Sequence, residues 1–248
     1  MRFFEKHIGE KNARLLGYIL DAHDEMPNAK VRPAVLILPG GGYHRTSERE
    51  AEPIAMEFLA MGYHAFVLHY SVKEDSLFPR PLDEAEACLR LIRENAEDWG
   101  VIPDKIAAIG FSAGGHLCAA LGTLATERAN ALLLVYPCTL PSISPILAHP
   151  IPDVAAAVDE NTPPAFIAST WEDNLVPIEH SLAFANAMDA KNRPCEVHLF
   201  LKGIHGLSLA NDVTGKGEPW LLNENFAKWM PLCKDFLHVV FGKFPMLR

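Results

Sequence analysis

The sequence has too few cysteines to support a covalent framework. Five occur among its 248 residues, and no two of them form a C-x-x-C pair: Cys88, Cys118, Cys138, Cys195 and Cys233. An odd number of cysteines at these spacings predicts neither a set of disulfides nor a zinc site. We therefore expect reduced thiols, which are typical of a cytoplasmic protein.

Long apolar runs and clusters of basic residues are also missing. No stretch approaches the roughly 18 consecutive apolar residues of a membrane span, and the N-terminus reaches Glu5 before a signal-peptide core develops. The 22 basic residues are scattered and outnumbered by 31 acidic ones, so the formal charge is −9. Nucleic-acid binders instead concentrate Lys and Arg in a patch. We expect no membrane partner, no nucleic-acid partner and a cytoplasmic location.

The composition that remains is that of a core-forming chain. Hydrophobic residues make up 49% and charged residues 21%, as in globular proteins, and the length suits one α/β domain over residues 1–248. Six short apolar runs, several apolar throughout, are typical of strands covered on both faces: Ala34–Leu38, Ala65–Tyr70, Ile106–Ile109, Ala131–Tyr136, Ala165–Ser169 and Glu196–Leu201.

Segments with helical spacing lie between these runs. The predicted helices are Glu48–Met61, Asp83–Trp99, Gly114–Thr126, Ile178–Ala190 and Asn223–Val240. Alternation of strand and helix from about residue 34 predicts βαβ units, and hence a mostly parallel, doubly wound sheet with helices on both faces.

The segment Thr139–Pro164 interrupts this alternation. It holds six prolines and follows a seventh, Pro137, a density that precludes a long helix or a central strand. Its single short apolar piece is Val154–Val158. A loop of this size is usually functional or disordered, so we expect either a small cap over a site or a linker.

The pentapeptide Gly110-Phe111-Ser112-Ala113-Gly114 has the pattern G-x-S-x-G. It follows a predicted buried strand and opens a predicted helix, which is the setting of a nucleophilic serine on a sharp, strained turn. The turn exposes the serine Oγ, and the helix N-terminus with the N–H of Ala113 faces developing negative charge. Ser112 is therefore the candidate nucleophile.

A serine nucleophile needs a base, and the base needs a group that orients it. The loop after Ala165–Ser169 carries Glu172 and Asp173, and the loop after Glu196–Leu201 carries His205. Acid and base thus follow Ser112 in the chain order Ser, Asp or Glu, His. Of the other histidines, only His44 lies near enough to the predicted site to remain an alternative base.

Three consecutive glycines, Gly40 to Gly42, follow the first predicted strand. Glycines let backbone N–H groups approach a ligand without obstruction. Such a loop binds phosphate in some proteins, but G-x-G-x-x-G and G-x-x-x-x-G-K-[ST] are both absent here. Beside Ser112, the loop instead predicts donors of an oxyanion hole.

Five segments, spanning roughly residues 30–240, together resemble the bacterial acetyl esterase/lipase group of α/β hydrolases, and especially its acetylxylan-esterase-like and feruloyl-esterase-like members. They are Pro39–Tyr43, Ser47–Ala55, Gly110–Leu117, Asp173–Pro177 and Ile204–Leu207. The Ser-x-Arg-Glu-Ala-Glu-Pro pattern beginning at Ser47 is the narrowest of these. One residue departs from the group: many relatives have a bracing histidine before the three glycines, where this chain has Pro39.

The resemblance implies an α/β-hydrolase fold with a small Pro-rich cap, and a triad of Ser112, His205 and Asp173, with Asp173 preferred to Glu172. It also implies oxyanion donors at the N–H groups of Gly41, Gly42 and Ala113. Tyr43 and His44 would contact substrate. The expected reaction is hydrolysis of short-acyl esters, acetyl esters of sugars or xylo-oligosaccharides among them, through an acyl-enzyme and without a metal or cofactor.

Two rival functions remain open, because one fold serves several chemistries. The same triad would serve an amidase, formamidase or small peptidase, and a hydrolase fold without activity would serve as a binding module. A small-molecule ester is the expected partner, and the sequence leaves a homodimer open.

Overall fold

The computed structural model describes residues 1–246, and its centre is an eight-stranded sheet. The strands are β1 Arg2–Ile8, β2 Ala13–Ile19, β3 Arg32–Leu38, β4 His64–His69, β5 Val101–Phe111, β6 Ala131–Val135, β7 Ala165–Thr170 and β8 Cys195–Phe200. Their order across the sheet is β1-β2-β4-β3-β5-β6-β7-β8. Strands β3 to β8 pair in parallel, whereas β2 pairs antiparallel with both β1 and β4.

The six strands predicted from apolar runs are all present. In β3 the side chains of Leu36 and Leu38 enter one core, and those of Val35 and Ile37 enter the other. Because side chains alternate between the faces of a strand, a strand covered on both faces must be apolar throughout. Two cores therefore lie on opposite sides of the sheet, and the predicted architecture is confirmed.

Helices cover both faces. Helices α1 (Glu52–Ala60) and α6 (Trp229–Val240) pack on one face, and the others pack on the second face: α2 (Arg80–Glu94), α3 (Ala96–Trp99), α4 (Ala113–Thr123) and α5 (Glu179–Ala190). Residues predicted to start two of these helices instead form short 3₁₀ turns, Glu48–Glu50 before α1 and Phe226–Lys228 before α6.

The hairpin of β1 and β2 is absent from the sequence prediction. β1 is an edge strand in which only Ile8 is buried, so its sequence lacks a long continuous apolar run. It is a strand because it pairs with β2. The mixed sequence Arg-Phe-Phe-Glu-Lys-His does not predict that pairing.

The Pro-rich segment is packed rather than extended as a linker. Residues Pro141–Ile146 form a 3₁₀ helix, and Ile143, Ile151 and Val154 are buried in the core. Within 139–164, the described residues include no α-helix or strand, as the proline density requires. No helix among residues 1–246 has both the length and the apolarity to cross a membrane.

The parallel arrangement positions the candidate site. Because β5, β7 and β8 run in the same direction, their carboxyl ends meet at one edge of the sheet. Ser112 follows β5, Asp173 follows β7 and His205 follows β8. Residues separated by as many as 93 positions in the chain are thereby brought to one place.

Candidate active site

Ser112 lies on a strained turn between β5 and α4. Its backbone has φ 54° and ψ −118°, a region that side-chain-bearing residues rarely adopt. The flanking glycines are required by close contact: a Cβ on Gly110 would lie 2.0 Å from the carbonyl oxygen of Gly114, and one on Gly114 would lie 2.1 Å from that of Leu38. The G-x-S-x-G pattern thus reflects packing of the turn against β3 and α4.

A chain of hydrogen bonds joins the three predicted triad side chains. The Nε2 atom of His205 lies 2.8 Å from the Oγ of Ser112, and its Nδ1 lies 2.7 Å from Oδ2 of Asp173. The side chain of Asp173 is 1% exposed and that of His205 is 12% exposed. The acid is therefore shielded from solvent, while the imidazole reaches the surface of the site.

The two acidic neighbours, Glu172 and Asp173, have different surroundings. Asp173 uses Oδ1 to accept hydrogen bonds from the N–H groups of Leu175 and Val176, both at 2.9 Å, and so its free oxygen faces His205. Glu172 points into solvent and pairs with Lys202, whose hydrogen bond is the main cause that lowers the pKa of this carboxyl. The structure brings Asp173, and not Glu172, to the imidazole.

The glycine loop faces Ser112 from the end of β3. Gly41 has φ +136° and Gly42 has φ +66°, and a Cβ on Gly41 would lie 2.1 Å from the carbonyl oxygen of Arg45. None of residues 1–246 accepts a hydrogen bond from the N–H of Gly41 or Gly42. Ala113 begins α4, so its N–H has no acceptor within the helix. All three donors are free for a ligand.

A cavity of about 260 Å³ opens above Ser112 and His205. Its apolar wall comes largely from two places, the Pro-rich segment and the loop after β7, and its polar wall from the glycine loop and Arg45. The lining includes Gly41, Gly42, Arg45, Cys138, Ile146, Leu147, Leu175, Val176 and Gly206. Among residues 1–246, no three His, Cys, Asp or Glu side chains are grouped to hold a metal ion.

Comparison with known proteins shows which family this chain resembles in sequence and structure. The family model described as BD-FAE matches residues 20–135. MGS-M1, an alpha/beta hydrolase enzyme from a Medee basin deep-sea metagenome library, is 43% identical, with a TM-score of 0.92 over 97% of this chain and 98% of that one. The chain belongs to the α/β-hydrolase esterase group. Its predicted α/β-hydrolase fold is thereby confirmed.

Other members of this group are similar over most of the chain. The carboxylesterase Cest-2923 from Lactobacillus plantarum is 28% identical, with a TM-score of 0.90 over 99% of this chain and 100% of that one. Endo-1,4-beta-xylanase B of Butyrivibrio fibrisolvens is 34% identical over 73% of this chain. Acetylxylan esterase of Xylanibacter ruminicola is 27% identical over 70%. The chain matches 33% of the length of the xylanase and 40% of the length of the acetylxylan esterase.

The structure does not place Tyr43 on the wall of the cavity, where the sequence predicted a contact with substrate. In this α/β hydrolase Tyr43 is 2% exposed and its hydroxyl lies 2.7 Å from Nδ1 of His116, so its ring is part of the core behind the glycine loop. A positive φ of 61° at Tyr43 turns the side chain inward. His44 is exposed and does not line the cavity, so neither its predicted substrate contact nor its alternative role as base has support.

His116 holds the back of the loop in a neutral form. Its Nε2–H donates to the carbonyl oxygen of Pro152 at 3.3 Å, and Nδ1 therefore accepts from the hydroxyl of Tyr43. Burial lowers the pKa of His116 from its ordinary value of 6.5 to about 4. Protonation would stop Nδ1 from accepting the Tyr43 hydroxyl proton and would place a charge in the core, so the neutral ring is the form that best links the glycine loop, α4 and the Pro-rich segment.

We expect His116 to make stability depend on pH. The unfolded chain takes up a proton here below about pH 6.5 and the native protein does so only near pH 4, so stability is full above that window and falls through it. Between pH 7 and pH 5 the free energy of unfolding of the wild type should fall by about 2 kcal/mol more than that of His116→Gln. Urea titrations at both pH values test this, and equal losses in the two proteins would contradict it.

The brace that Pro39 cannot supply comes from other residues. The N–H of Gly40 donates to Oε2 of Glu50 at 2.9 Å, and the hydroxyl of Tyr70 donates to the carbonyl oxygen of Pro39 at 2.5 Å. Sequence reasoning missed the role of Glu50. The narrow Ser-x-Arg-Glu pattern at Ser47 contained the signal, since it had no explanation in the predicted fold.

Proposed function

We propose that this α/β hydrolase is a serine carboxylic-ester hydrolase acting on short-acyl esters, acetyl above all, with a sugar or xylo-oligosaccharide as the alcohol. The observation that carries the proposal is the hydrogen-bonded chain from Ser112 Oγ through His205 to Asp173. It ends in a cavity where three backbone N–H groups are free. Nucleophile, base, orienting acid and anion donors are thus all in reach of one bound carbonyl.

Acylation begins when Oγ of Ser112 attacks the ester carbonyl carbon as its proton passes to Nε2 of His205. The carbonyl π electrons move to oxygen, and the N–H groups of Gly41, Gly42 and Ala113 stabilise that oxyanion. When the tetrahedral intermediate collapses, the C–O bond to the alcohol breaks and the imidazolium gives its proton to the departing oxygen. Asp173 keeps Nδ1 protonated and stabilises the imidazolium throughout.

Deacylation repeats the same steps with water. Water gives a proton to His205 and attacks the acyl carbon, a second oxyanion forms, and collapse breaks the bond to Ser112. The proton returns to Oγ and the carboxylic acid leaves. Only groups of this chain and water take part.

The small cavity supports a short acyl group. Its walls at Ile146 and Leu147 come from the Pro-rich segment, which is stiffened by its prolines and carries no long helix that could open as a lid. The sugar alcohol rests on the relatives, since acetylxylan esterase and a xylanase match most of this chain. The polar side of the cavity at Arg45 is suited to hydroxyl groups.

We expect kcat/KM for nitrophenyl esters to peak between acetyl and butyryl and to fall beyond. An apolar groove would add roughly 0.8 kcal/mol for each extra methylene buried, which is about a fourfold gain per methylene. We expect the wall at Ile146 and Leu147 to prevent that gain for longer acyl chains. Ser112→Ala measured on each ester sets the background. A steady rise out to octanoyl would show that the cavity does not limit the acyl chain.

Acetate release from acetylated xylo-oligosaccharides tests the alcohol half of the proposal. Turnover of nitrophenyl acetate without release from the oligosaccharide would leave an esterase with another alcohol. Faster turnover of acyl amides than of matched esters would instead favour an amidase. Absence of both reactions, and of labelling by a fluorophosphonate, would favour the binding module.

A further inference from the structure

Two adjacent residues, Arg49 and Glu50, extend from the 3₁₀ turn Glu48–Glu50 to different loops of the site. This turn lies between the glycine loop and α1. Both residues line the cavity, but neither belongs to the triad or to the oxyanion donors.

Glu50 connects the glycine loop to the loop that carries His205. Its carboxyl group is buried, with the residue 4% exposed. Oε2 accepts from the N–H of Gly40 at 2.9 Å, and Oε1 accepts from the hydroxyl of Tyr136 at 2.6 Å. The same hydroxyl accepts from the N–H of Ser208 at 2.9 Å. One carboxyl group therefore joins the residue before the oxyanion donors to a residue three positions after the base.

Tyr136 links the carboxyl group of Glu50 to the N–H of Ser208 through its hydroxyl. Burial, with the nearby Glu50 carboxyl, holds the pKa of Tyr136 well above its usual value, so the hydroxyl keeps the proton that it donates. Its ring meets the imidazole of His205 edge to face, with 5.0 Å between centroids. The ring also fixes one side of the base.

Arg49 contacts the loop that carries His205 directly. Its guanidinium donates to the carbonyl oxygens of Gly206 at 2.9 Å and Leu207 at 3.4 Å, and to that of Thr214. Its own carbonyl oxygen accepts from the hydroxyl of Ser208 at 2.6 Å. Among residues 1–246 it has no carboxylate partner within salt-bridge distance, so its polar contacts are with backbone oxygens around His205.

We propose that Arg49 and Glu50 form a clamp of positioning residues that sets the distance between the oxyanion donors and the base. The proposal rests on the proposed esterase function. The geometry leaves little slack, because a Cβ on Gly40 would lie 2.8 Å from Oε2 of Glu50 and 3.0 Å from Cβ of Ser112. A shift of Glu50 therefore moves Gly40 and the donors that follow it relative to Oγ.

A clamp of this kind acts on the transition state more than on the bound substrate. Oxyanion donors act only within a narrow distance of the developing charge, and misplacement by about 1 Å can cost on the order of 100-fold in rate. Substrate binding depends mainly on the cavity walls. Arg49 and Glu50 are only two of the residues that form those walls. The expected signature is a loss in kcat with KM little changed.

We expect Glu50→Ala to lower kcat on nitrophenyl acetate about 100-fold, with KM within threefold of wild type. Glu50→Gln keeps an acceptor for the N–H of Gly40 and loses the one for Tyr136, so it should lose only about tenfold. Affinity for a trifluoromethyl ketone, which forms a tetrahedral adduct with Ser112, should fall by the same factor as kcat/KM.

Glu84 offers a matched control. It is also a buried glutamate, 4% exposed, whose two oxygens accept from the N–H and hydroxyl of Ser71, and it does not line the cavity. Glu84→Ala should lower the melting temperature and leave kcat within threefold. Equal losses of kcat in Glu84→Ala and Glu50→Ala, or wild-type kcat in folded Glu50→Ala, would overturn the clamp.

The activity of Ser112→Ala distinguishes a failure of the proposed esterase function from a failure of the clamp. Activity that survives in Ser112→Ala would overturn the esterase mechanism itself, whatever Glu50 does. Activity that depends on Ser112 but not on Glu50 would overturn the clamp alone. If Glu50→Ala does not fold, Glu50→Gln carries the test, and an unchanged kcat and ketone affinity in that variant would overturn the clamp.

Discussion

Ser112→Ala should lower kcat for ester hydrolysis by about 10⁶-fold, the usual loss when a triad loses its nucleophile. The native fold should persist, because Oγ has few structural partners. It bonds to Nε2 of His205 at 2.8 Å and approaches Sγ of Cys138 at 4.0 Å. The expected result is a folded protein without activity that a fluorophosphonate does not label.

Ser112→Gly gives this prediction an internal control. The backbone at this position has φ 54°, which strains serine and alanine alike but not glycine. The glycine variant should therefore be as inactive as the alanine variant, yet more stable by about 1 kcal/mol. Urea titration of both variants checks the strain, and turnover by either one above 10⁻³ of wild type would refute the role of Ser112.

Asp173→Asn should lower kcat by about 10⁴-fold while preserving the loop. The asparagine oxygen still accepts from the N–H groups of Leu175 and Val176. Its amide N–H₂ then faces Nδ1 of His205 and favours the tautomer with the proton on Nε2. That tautomer cannot accept the proton of Ser112.

Glu172→Gln is the matched comparison, since the two acids are neighbours. Glu172 is exposed and pairs with Lys202 at the surface, where screening by water and salt makes such a pair weak. We expect kcat within threefold of wild type. Rates measured on nitrophenyl acetate, with circular dichroism to verify folding, decide the matter: a greater loss in Glu172→Gln would mean that the acid is misassigned.

The sequence alone was enough to predict the six parallel strands, β3 to β8, and the chain order of the candidate site residues. Strands covered on both faces must be apolar throughout, so runs such as Ala34–Leu38 are visible without knowledge of their partners. The turn at Ser112 is partly local: Gly110 is required by a contact with Gly114, four residues away, although Gly114 itself also packs against Leu38 of β3. In a parallel sheet, chain order then predicts which loops meet.

The tertiary structure decided the features that depend on distant partners. Tyr43 turns inward because His116, 73 residues away, accepts its hydroxyl, and the sequence predicted substrate contact instead. β1 is a strand because β2 pairs with it. Glu50 meets Tyr136 across 86 residues, and Arg49 meets Gly206 across 157.

The physical reason for this division is the range of the interactions. Backbone strain, strand periodicity and proline density act within a few residues, so they leave patterns that one sequence reveals. A buried carboxyl group requires hydrogen-bond partners wherever the fold supplies them, and its own neighbours in the chain do not identify those partners. The patterns that make Ser112 and His205 candidate site residues are therefore visible in the sequence, whereas the residues that hold them in place were determined only by the folded chain.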